Sequence, residues 1–134
     1  MPDNMKTLQL HAPSLRAEVI GLQDENTDLA IFRGIPFASV TKRWTQSCTQ
    51  NSLPSSFDAT EFGPKCPQPP HESIVPITLH NPNPGEDEFK CLHLNVTVPK
   101  DALPDGQSKE GRTPLPVIVW VHGYVYPRQS HFNC

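Results

Sequence analysis

The sequence predicts the β-rich opening part of an α/β domain. Residues 117–121, VIVWV, are β-branched or aromatic without polar alternation, which is typical of a parallel strand covered on both faces. The chain also contains 16 prolines among 134 residues, and because each proline removes a backbone donor, a mostly helical chain is excluded. No segment of the sequence shows a convincing helical period of apolar residues over about ten or more positions. The helices that would cover such a strand are therefore not predicted within this sequence.

Two strands are predicted in the first third of the chain. Residues 15–22, LRAEVIGL, alternate well enough for a strand. Residues 29–38, LAIFRGIPFA, predict a second strand that is broken near Gly34 and Pro36. The run of turn-forming residues between them, QDENTD, joins the two strands into a predicted β-hairpin. Residues 1–14 are polar and predict no element.

The middle of the chain predicts loops and one further strand. Residues 39–64 predict a loop, and the six prolines of residues 65–88 exclude regular structure there. Residues 92–98, LHLNVTV, alternate between apolar and polar side chains and predict a half-buried strand, which Pro99 ends. Residues 100–114 are rich in charge, glycine and proline and predict a solvated connector to the last strand.

Composition excludes several classes of partner and cofactor. Lys and Arg number 11 and Asp and Glu number 14, so the net charge is −3, and neither nucleic acid nor an anionic membrane is a default partner. The longest apolar run, Leu115–Val121, contains a proline and is far shorter than the roughly 20 residues of a membrane-spanning helix. The sequence has no phosphate-binding glycine loop and no histidine spacing for a metal. No cofactor, metal, membrane span or specific partner is therefore predicted.

The amino-terminal residues bear on cellular location. The first 30 residues contain five acidic side chains and no apolar run, so no secretory signal is predicted. As written, the chain is expected to be cytoplasmic, and it would be secreted if a leader has been lost. The four cysteines have irregular gaps and form no C-x-x-C, which leaves a zinc ribbon and a thioredoxin motif without support.

Four separated blocks, in this order, carry a resemblance to a known family. They are IFRGIPFA at 31–38 with the Arg43-Trp44 pair, FGPKCPQ at 62–68, EFKCLHLNVTVP at 88–99 and LPVIVWVHG at 115–123. Their order and spacing resemble the N-terminal part of the type-B carboxylesterases, the cholinesterase- and lipase-like branch of the α/β-hydrolase superfamily. The resemblance covers nearly the whole chain but only the opening part of such an enzyme.

This resemblance implies a fold class and a domain organisation. The implied fold is the α/β-hydrolase fold, with only its N-terminal β-rich portion present, a hairpin plus the first central strands. Residues 15–123 would be the N-terminal portion of a type-B carboxylesterase domain. They follow a polar segment at 1–14 and precede a divergent tail at 124–134.

The resemblance also implies two structural pairs. Cys66 and Cys91 fall where family members form their first disulfide, and such a bridge would close a loop of about 25 residues, worth roughly 3 kcal/mol. The alternative is two free thiols in a cytosolic chain. Arg43 matches an arginine that pairs with an acidic residue in the family, and Glu88 is the carboxylate left nearby. The alternative is that Arg43 is merely solvated.

An oxyanion-hole remnant is implied near the end of the last strand. His122-Gly123 matches the start of the family's H-G-G-G segment, whose backbone N–H groups stabilise the charge on the tetrahedral intermediate. The second and third glycines are absent, and Tyr124 stands in their place. Gly123 and Tyr124 therefore supply at most part of that hole.

One modification motif lies on the predicted strand at 92–98. Asn95-Val96-Thr97 satisfies N-x-[ST], which makes Asn95 a glycosylation candidate. The favoured alternative, without a signal peptide, is a polar residue on the face of a strand.

The residues needed for ester hydrolysis are not found in this sequence. A serine esterase of this fold carries its nucleophile in G-x-S-x-G, and no two of the seven glycines are four positions apart. The catalytic serine, acid and histidine are thus not assigned to any residue here, and the chain is expected to be inactive alone, as a truncated relative of serine carboxylic-ester hydrolases. Two alternatives remain: a non-catalytic interaction module, or a gene-model remnant without a stable fold.

Overall fold

A five-stranded sheet is the main element of the fold. The computed structural model describes residues 4–67, 85–104 and 114–121. Within these ranges the chain forms strands and two short 3-10 turns, Pro13–Leu15 and Lys100–Ala102, and no α-helix. The strands are β1 (Met5–Ala12), β2 (Ala17–Asp24), β3 (Leu29–Pro36), β4 (Ala38–Ser39), β5 (Cys48–Thr49), β6 (Ser56–Asp58) and β7 (His93–Pro99).

The sheet has the order β1-β2-β3-β7, and β2 is shared between two partners on one edge. Its first half, Glu18–Ile20, pairs in parallel with β6, whereas Leu22–Asp24 pairs with β3. The predicted hairpin of β2 and β3 is confirmed. Its turn is stabilised by the Asp24 carboxylate, which accepts hydrogen bonds from the Asn26 N–H at 2.9 Å and the Thr27 hydroxyl at 2.9 Å. A second, two-stranded sheet joins β4 to β5.

Strand β1 was not anticipated by the sequence analysis. It pairs antiparallel along the whole of β2, from Met5 opposite Asp24 to Ala12 opposite Ala17. The sequence signal was a short alternation, since Leu8, Leu10 and Ala12 are two positions apart and pack against the core. The polar residues between them weaken the local preference of the segment for a strand. The segment forms a strand because it pairs with β2, and this tertiary contact outweighs the local preference.

The core is small and draws on alternate positions of β2 and β3. Its buried residues are Ala17, Val19, Ala30, Phe32, Leu53 and Ala59. Gly21 makes room for the largest of them, because a Cβ at position 21 would come within 2.5 Å of the Phe32 ring. The sheet is therefore assembled around one aromatic side chain and the glycine that faces it.

The structure corrects the prediction of a strand within residues 115–121. The structure gives residues 114–121 no regular element, and Ile118 and Trp120 are 93% and 86% exposed. The physical reason is that a strand needs a hydrogen-bonded neighbour, and no described strand pairs with this segment. Its apolar side chains consequently stand in solvent.

Strand β7 forms as predicted but is less buried than its pattern indicated. It pairs with β3 on one edge, and its apolar residues Leu94 and Val96 are 40% and 38% exposed. No strand among the described residues covers its other edge.

Within the described ranges, no helix has the length and apolarity required to cross a bilayer.

Candidate functional site

The candidate site is the junction where two loops meet strand β7 and the bulge in β3. We define the β7 junction as residues 61–66, residues 85–95, Gly34 and Arg43. The pairing of β3 with β7 shifts register between Phe32 and Ile35, and this bulge leaves Gly34 facing the 61–63 loop. The two loops are also joined at their far ends, where the Lys65 N–H donates to the Gly85 carbonyl at 2.9 Å.

The structure brings Arg43 and Glu88 together. The Arg43 Nε lies 2.9 Å from both carboxylate oxygens of Glu88, and Nη2 lies 2.5 Å from Oε2. The hydrogen bond from Arg43 lowers the pKa of Glu88 below its ordinary value, and the same bond raises the pKa of Arg43. Because the arginine side chain is 72% exposed, solvent screens this pair and limits what it contributes to stability.

A turn centred on Asp87 places Glu88 for this pairing. The Asp87 carboxylate accepts hydrogen bonds from the N–H groups of Phe89 at 2.9 Å and Lys90 at 3.1 Å. This side-chain-to-backbone pattern is a common way for Asp to fix a turn. Asp87 was not among the predicted site residues, although an Asp that closely follows Pro84 and Gly85 is a recognisable turn signal in the sequence.

The structure also brings Cys66 and Cys91 together. Their sulfur atoms are 2.8 Å apart, which is longer than the roughly 2.05 Å of a disulfide bond, and both are free thiols here. Cys66 is exposed and Cys91 is half-buried. Burial, followed by the hydrogen bond with Cys66, raises the pKa of Cys91 to about 11. Cys48 lies elsewhere, in β5, and is exposed.

His93 links the first loop to strand β7. Its Nε2 lies 2.8 Å from the Pro64 carbonyl oxygen. Since a carbonyl only accepts, Nε2 must carry the proton, and the buried Nδ1 has no hydrogen-bond partner among the described residues. The ring covers Gly63 so closely that a Cβ there would come within 2.5 Å of it.

Asn95 links strand β7 to the bulge in β3. Its side-chain oxygen accepts a hydrogen bond from the Gly34 N–H at 3.0 Å. Gly34 has a φ of +62°, and a Cβ at that position would lie 3.0 Å from the Glu61 carbonyl oxygen and 3.0 Å from the Gly63 nitrogen. The side-chain oxygen of Asn95, the glycosylation candidate, is therefore already hydrogen-bonded within the chain. The sequence analysis placed a break at Gly34 but missed its contact with Asn95.

A shallow pocket of about 360 Å³ lies beside the ion pair. It is lined by Val40, Arg43, Trp44, Glu88 and Phe89. Trp44 is fully exposed and has a φ of +65°, a conformation that costs a non-glycine residue roughly 1–2 kcal/mol. The described residues contain no group of three His, Cys, Asp or Glu side chains placed to hold a metal ion.

The oxyanion-hole candidates Gly123 and Tyr124 lie outside the described residues. The β7 junction holds an ion pair, a thiol pair and several hydrogen bonds between side chains and the backbone, made by Asp87, His93 and Asn95. None of these is a hydroxyl nucleophile hydrogen-bonded to a base. These contacts hold the two loops against the sheet.

Comparison with known proteins decides the family. Residues 6–132 match the carboxylesterase family. The chain belongs to this family. Lipase 1 and Lipase 3 of Yarrowia lipolytica are 30% and 33% identical over 121 and 123 residues. Human bile salt-activated lipase is 32% identical over 104 residues.

The matches cover most of this chain and a small part of each relative. The two lipases each match 87% of the chain, which spans 21% and 23% of their length. For bile salt-activated lipase these shares are 78% and 12%. The chain thus spans at most about a quarter of the length of these relatives.

A solved structure agrees with the fold. An esterase from the anaerobe Clostridium hathewayi, which can hydrolyze aliphatic aromatic polyesters, matches with a TM-score of 0.50 at 23% identity. The match covers 69% of this chain and 19% of that chain. Together with the strand-rich sheet, this likeness confirms the predicted fold class, the N-terminal β-rich portion of the α/β-hydrolase fold.

Proposed function

We propose that this carboxylesterase-family chain supplies the amino-terminal sheet of a serine carboxylic-ester hydrolase and does not hydrolyse esters by itself. The observation that carries the proposal is the placement of β7, which is paired on one edge and presents half-exposed apolar side chains at Leu94 and Val96. An apolar strand in this state needs a further strand and a covering layer. The family match over residues 6–132 supports an ester hydrolase as the source of both.

The sequence supports the proposed inactivity of the chain alone. No G-x-S-x-G is possible with glycines at these positions, so a strained turn that exposes a nucleophilic serine is not encoded. Acyl transfer by this fold needs that serine, a histidine base and an acid that orients the base. Gly123 and Tyr124 would contribute backbone N–H groups to an oxyanion hole, which stabilises charge but forms no acyl-enzyme.

We further propose that Cys66 and Cys91 form a disulfide when the chain reaches an oxidising compartment. The thiols lie within 2.8 Å of each other, and closing a loop of about 25 residues would remove roughly 3 kcal/mol of chain entropy from the unfolded state. The bridge would tie the first loop of the β7 junction to the residues that precede β7. Cys48 and Cys134 would stay free.

A hydrolysis assay tests the proposed inactivity. The purified 134-residue chain is incubated with a nitrophenyl ester of a short-chain acid, and the release of nitrophenol is compared with the buffer rate. We expect no turnover above background. Turnover that a serine-directed phosphonate abolishes would contradict the proposal, as would a phosphonate adduct on any serine of the intact chain.

A second candidate function is a non-catalytic interaction module. The exposed apolar segment at 115–121 favours it, because Val117 and Val121 are 83% and 80% exposed and an unpaired β-branched segment can add a strand to another sheet. The two functions differ in an observable way. An interaction module would form a stoichiometric complex with an unrelated partner protein, whereas the sheet of an ester hydrolase would associate with the remaining portion of an esterase domain.

A further inference from the structure

We propose that His93 and Asn95 are positioning residues, which together hold Cys66 against Cys91 and so set how readily the two thiols close. This inference rests on the thiol pairing proposed above and goes beyond it, because it assigns the pairing to two neighbouring side chains of β7. Both are on the same face of the strand, two positions apart. Each makes one hydrogen bond to the backbone of a different segment.

The His93 contact fixes the loop that carries Cys66. The imidazole Nε2 donates to the Pro64 carbonyl at 2.8 Å, two residues before Cys66. On the other side, the His93 N–H donates to the Cys91 carbonyl at 3.1 Å. One residue therefore touches the backbone beside both cysteines. The glycine at position 63 lets the ring lie against the loop, since a Cβ there would come within 2.5 Å of the ring.

The Asn95 contact fixes the surface on which that loop rests. Its side-chain oxygen takes the Gly34 N–H at the point where the register of β3 and β7 shifts. Gly34 sits close against the 61–63 loop, since a Cβ at that position would lie 3.0 Å from the Glu61 carbonyl oxygen and 3.0 Å from the Gly63 nitrogen. Moving Gly34 would move the 61–63 loop and, through it, Pro64 and Cys66.

Holding the two thiols in place before they react lowers the entropic cost of joining them. Two groups kept at the correct separation react as if each were present at high concentration, and this effective concentration falls when the positioning contacts are lost. The Cys66 and Cys91 sulfurs lie 2.8 Å apart, close to the contacts that His93 and Asn95 make. We therefore assign the placing of the two sulfurs to the His93 and Asn95 contacts, which lie outside the proposed disulfide bond.

The closing step is a thiol–disulfide exchange with oxidised glutathione. The exposed Cys66 thiolate attacks one glutathione sulfur, the glutathione S–S bond breaks, and one glutathione thiolate leaves. The Cys91 thiolate then attacks the Cys66 sulfur and expels the second glutathione thiolate. Two cysteine thiols are oxidised, one glutathione disulfide is reduced, and the two cysteine protons pass to the two glutathione thiolates.

The effective concentration of the two thiols is the quantity to measure. The full chain, with Cys48→Ser and Cys134→Ser to isolate the pair, is equilibrated in glutathione buffers of known ratio and quenched with an alkylating reagent. Intact mass gives the fraction closed. We expect Asn95→Ala and His93→Phe each to lower the effective concentration about tenfold, the size typical of one lost hydrogen bond.

Three further variants separate positioning from general damage. Thr97→Ala changes the same face of β7 and removes the N-x-[ST] motif, yet should stay within about twofold of the parent. Asn95→Asp keeps an acceptor oxygen and His93→Gln keeps an N–H donor, so both should retain most of the effective concentration. If Asn95→Ala or His93→Phe does not fold, the effective concentrations of Asn95→Asp and His93→Gln relative to the parent test the inference instead.

Three results would overturn the inference. The first is that folded Asn95→Ala and His93→Phe have the same effective concentration as the parent. The second is that folded Asn95→Asp and His93→Gln lose as much effective concentration as is expected when the contacts are removed. The third is that the disulfide of the parent forms no more readily in buffer than in denaturant, which would overturn the thiol pairing itself. Ester hydrolysis by the chain would refute the proposed function and leave these outcomes unaffected.

Discussion

The guanidinium of Arg43 meets the carboxylate of Glu88 across 45 residues of sequence, through Nε and Nη2. This pair joins the loop after β4 to the turn that precedes β7. Glu88 takes up this position because Asp87 fixes the turn through the N–H groups of Phe89 and Lys90. The pair therefore reports on whether the β7 junction is assembled.

The Arg43–Glu88 pair predicts a pH-dependent contribution to stability. The Arg43 hydrogen bond depresses the pKa of Glu88 in the folded chain, so the contribution is present above the ordinary glutamate pKa of about 4.3 and is lost as pH falls through the depressed value. We expect wild type to have a higher Tm than Glu88→Gln at neutral pH, and we expect this difference to vanish in acid. Calorimetry over this pH range measures it, with Glu61→Gln as control. A difference that persists unchanged in strong acid would contradict the assignment.

The junction thiol of Cys91 is expected to react more slowly than an ordinary exposed thiol. Burial raises the pKa of Cys91 to about 11, so at pH 8 only about one part in a thousand is thiolate, against roughly a quarter of an ordinary thiol. In the reduced chain, Cys91 should be alkylated by iodoacetamide on the order of 100-fold more slowly than an ordinary exposed thiol. Peptide mapping after timed quenching measures the rates, with the exposed Cys48 as internal reference. Equal rates at Cys48 and Cys91 would show that the Cys91 thiol is not shielded.

Gly34 and Gly85 form a matched pair for a stability test. Both have a positive φ, +62° and +81°, but only Gly34 has neighbours near its Cβ position, whereas nothing described lies within 4 Å of that position at Gly85. We expect Gly85→Ala to cost about 1 kcal/mol of unfolding free energy from backbone strain. Gly34→Ala should cost about 1–3 kcal/mol more, because the added methyl group also meets the Glu61 and Gly63 backbone. Urea unfolding of both variants measures the difference, and equal costs would argue against a tight bulge.

The sequence predicted the parts of the sheet that have strong local patterns. The hairpin of β2 and β3 followed from the alternating segment 15–22, the predicted strand at 29–38 and the polar turn between them, and β7 followed from LHLNVTV ended by Pro99. Strand β1 was missed because its alternation is masked by polar residues and it forms through pairing with β2. The strand at 115–121 was predicted from composition alone, and composition does not supply the neighbouring strand that pairing requires.

The site was predictable where family-like motifs marked it and not where geometry made it. The four residues Cys66, Cys91, Arg43 and Glu88 could be named from the blocks that resemble the carboxylesterase family, and the structure brings each pair together. The contacts of His93 with Pro64 and of Asn95 with Gly34 span 29 and 61 residues. Such contacts depend on the register of β3 with β7, which a single sequence does not display.

We propose that this sheet is one part of a larger sheet, and the exposed apolar segment at 115–121 allows a direct test. In water its exposed side chains should drive self-association of the isolated chain, because an unpaired, uncharged β-branched segment favours edge-to-edge stacking. Charge on the segment should block that stacking.

The measurement is size-exclusion chromatography of the 134-residue chain beside its Ile118→Lys/Trp120→Lys variant, with thermal unfolding of each soluble fraction. We expect the wild-type chain to elute as oligomers or aggregate at low soluble yield, and the variant to give more soluble, monomeric protein. A monomeric wild-type chain that melts cooperatively, and that the two lysines unfold, would show that residues 115–121 belong to a core that the chain completes by itself. That result would contradict the account.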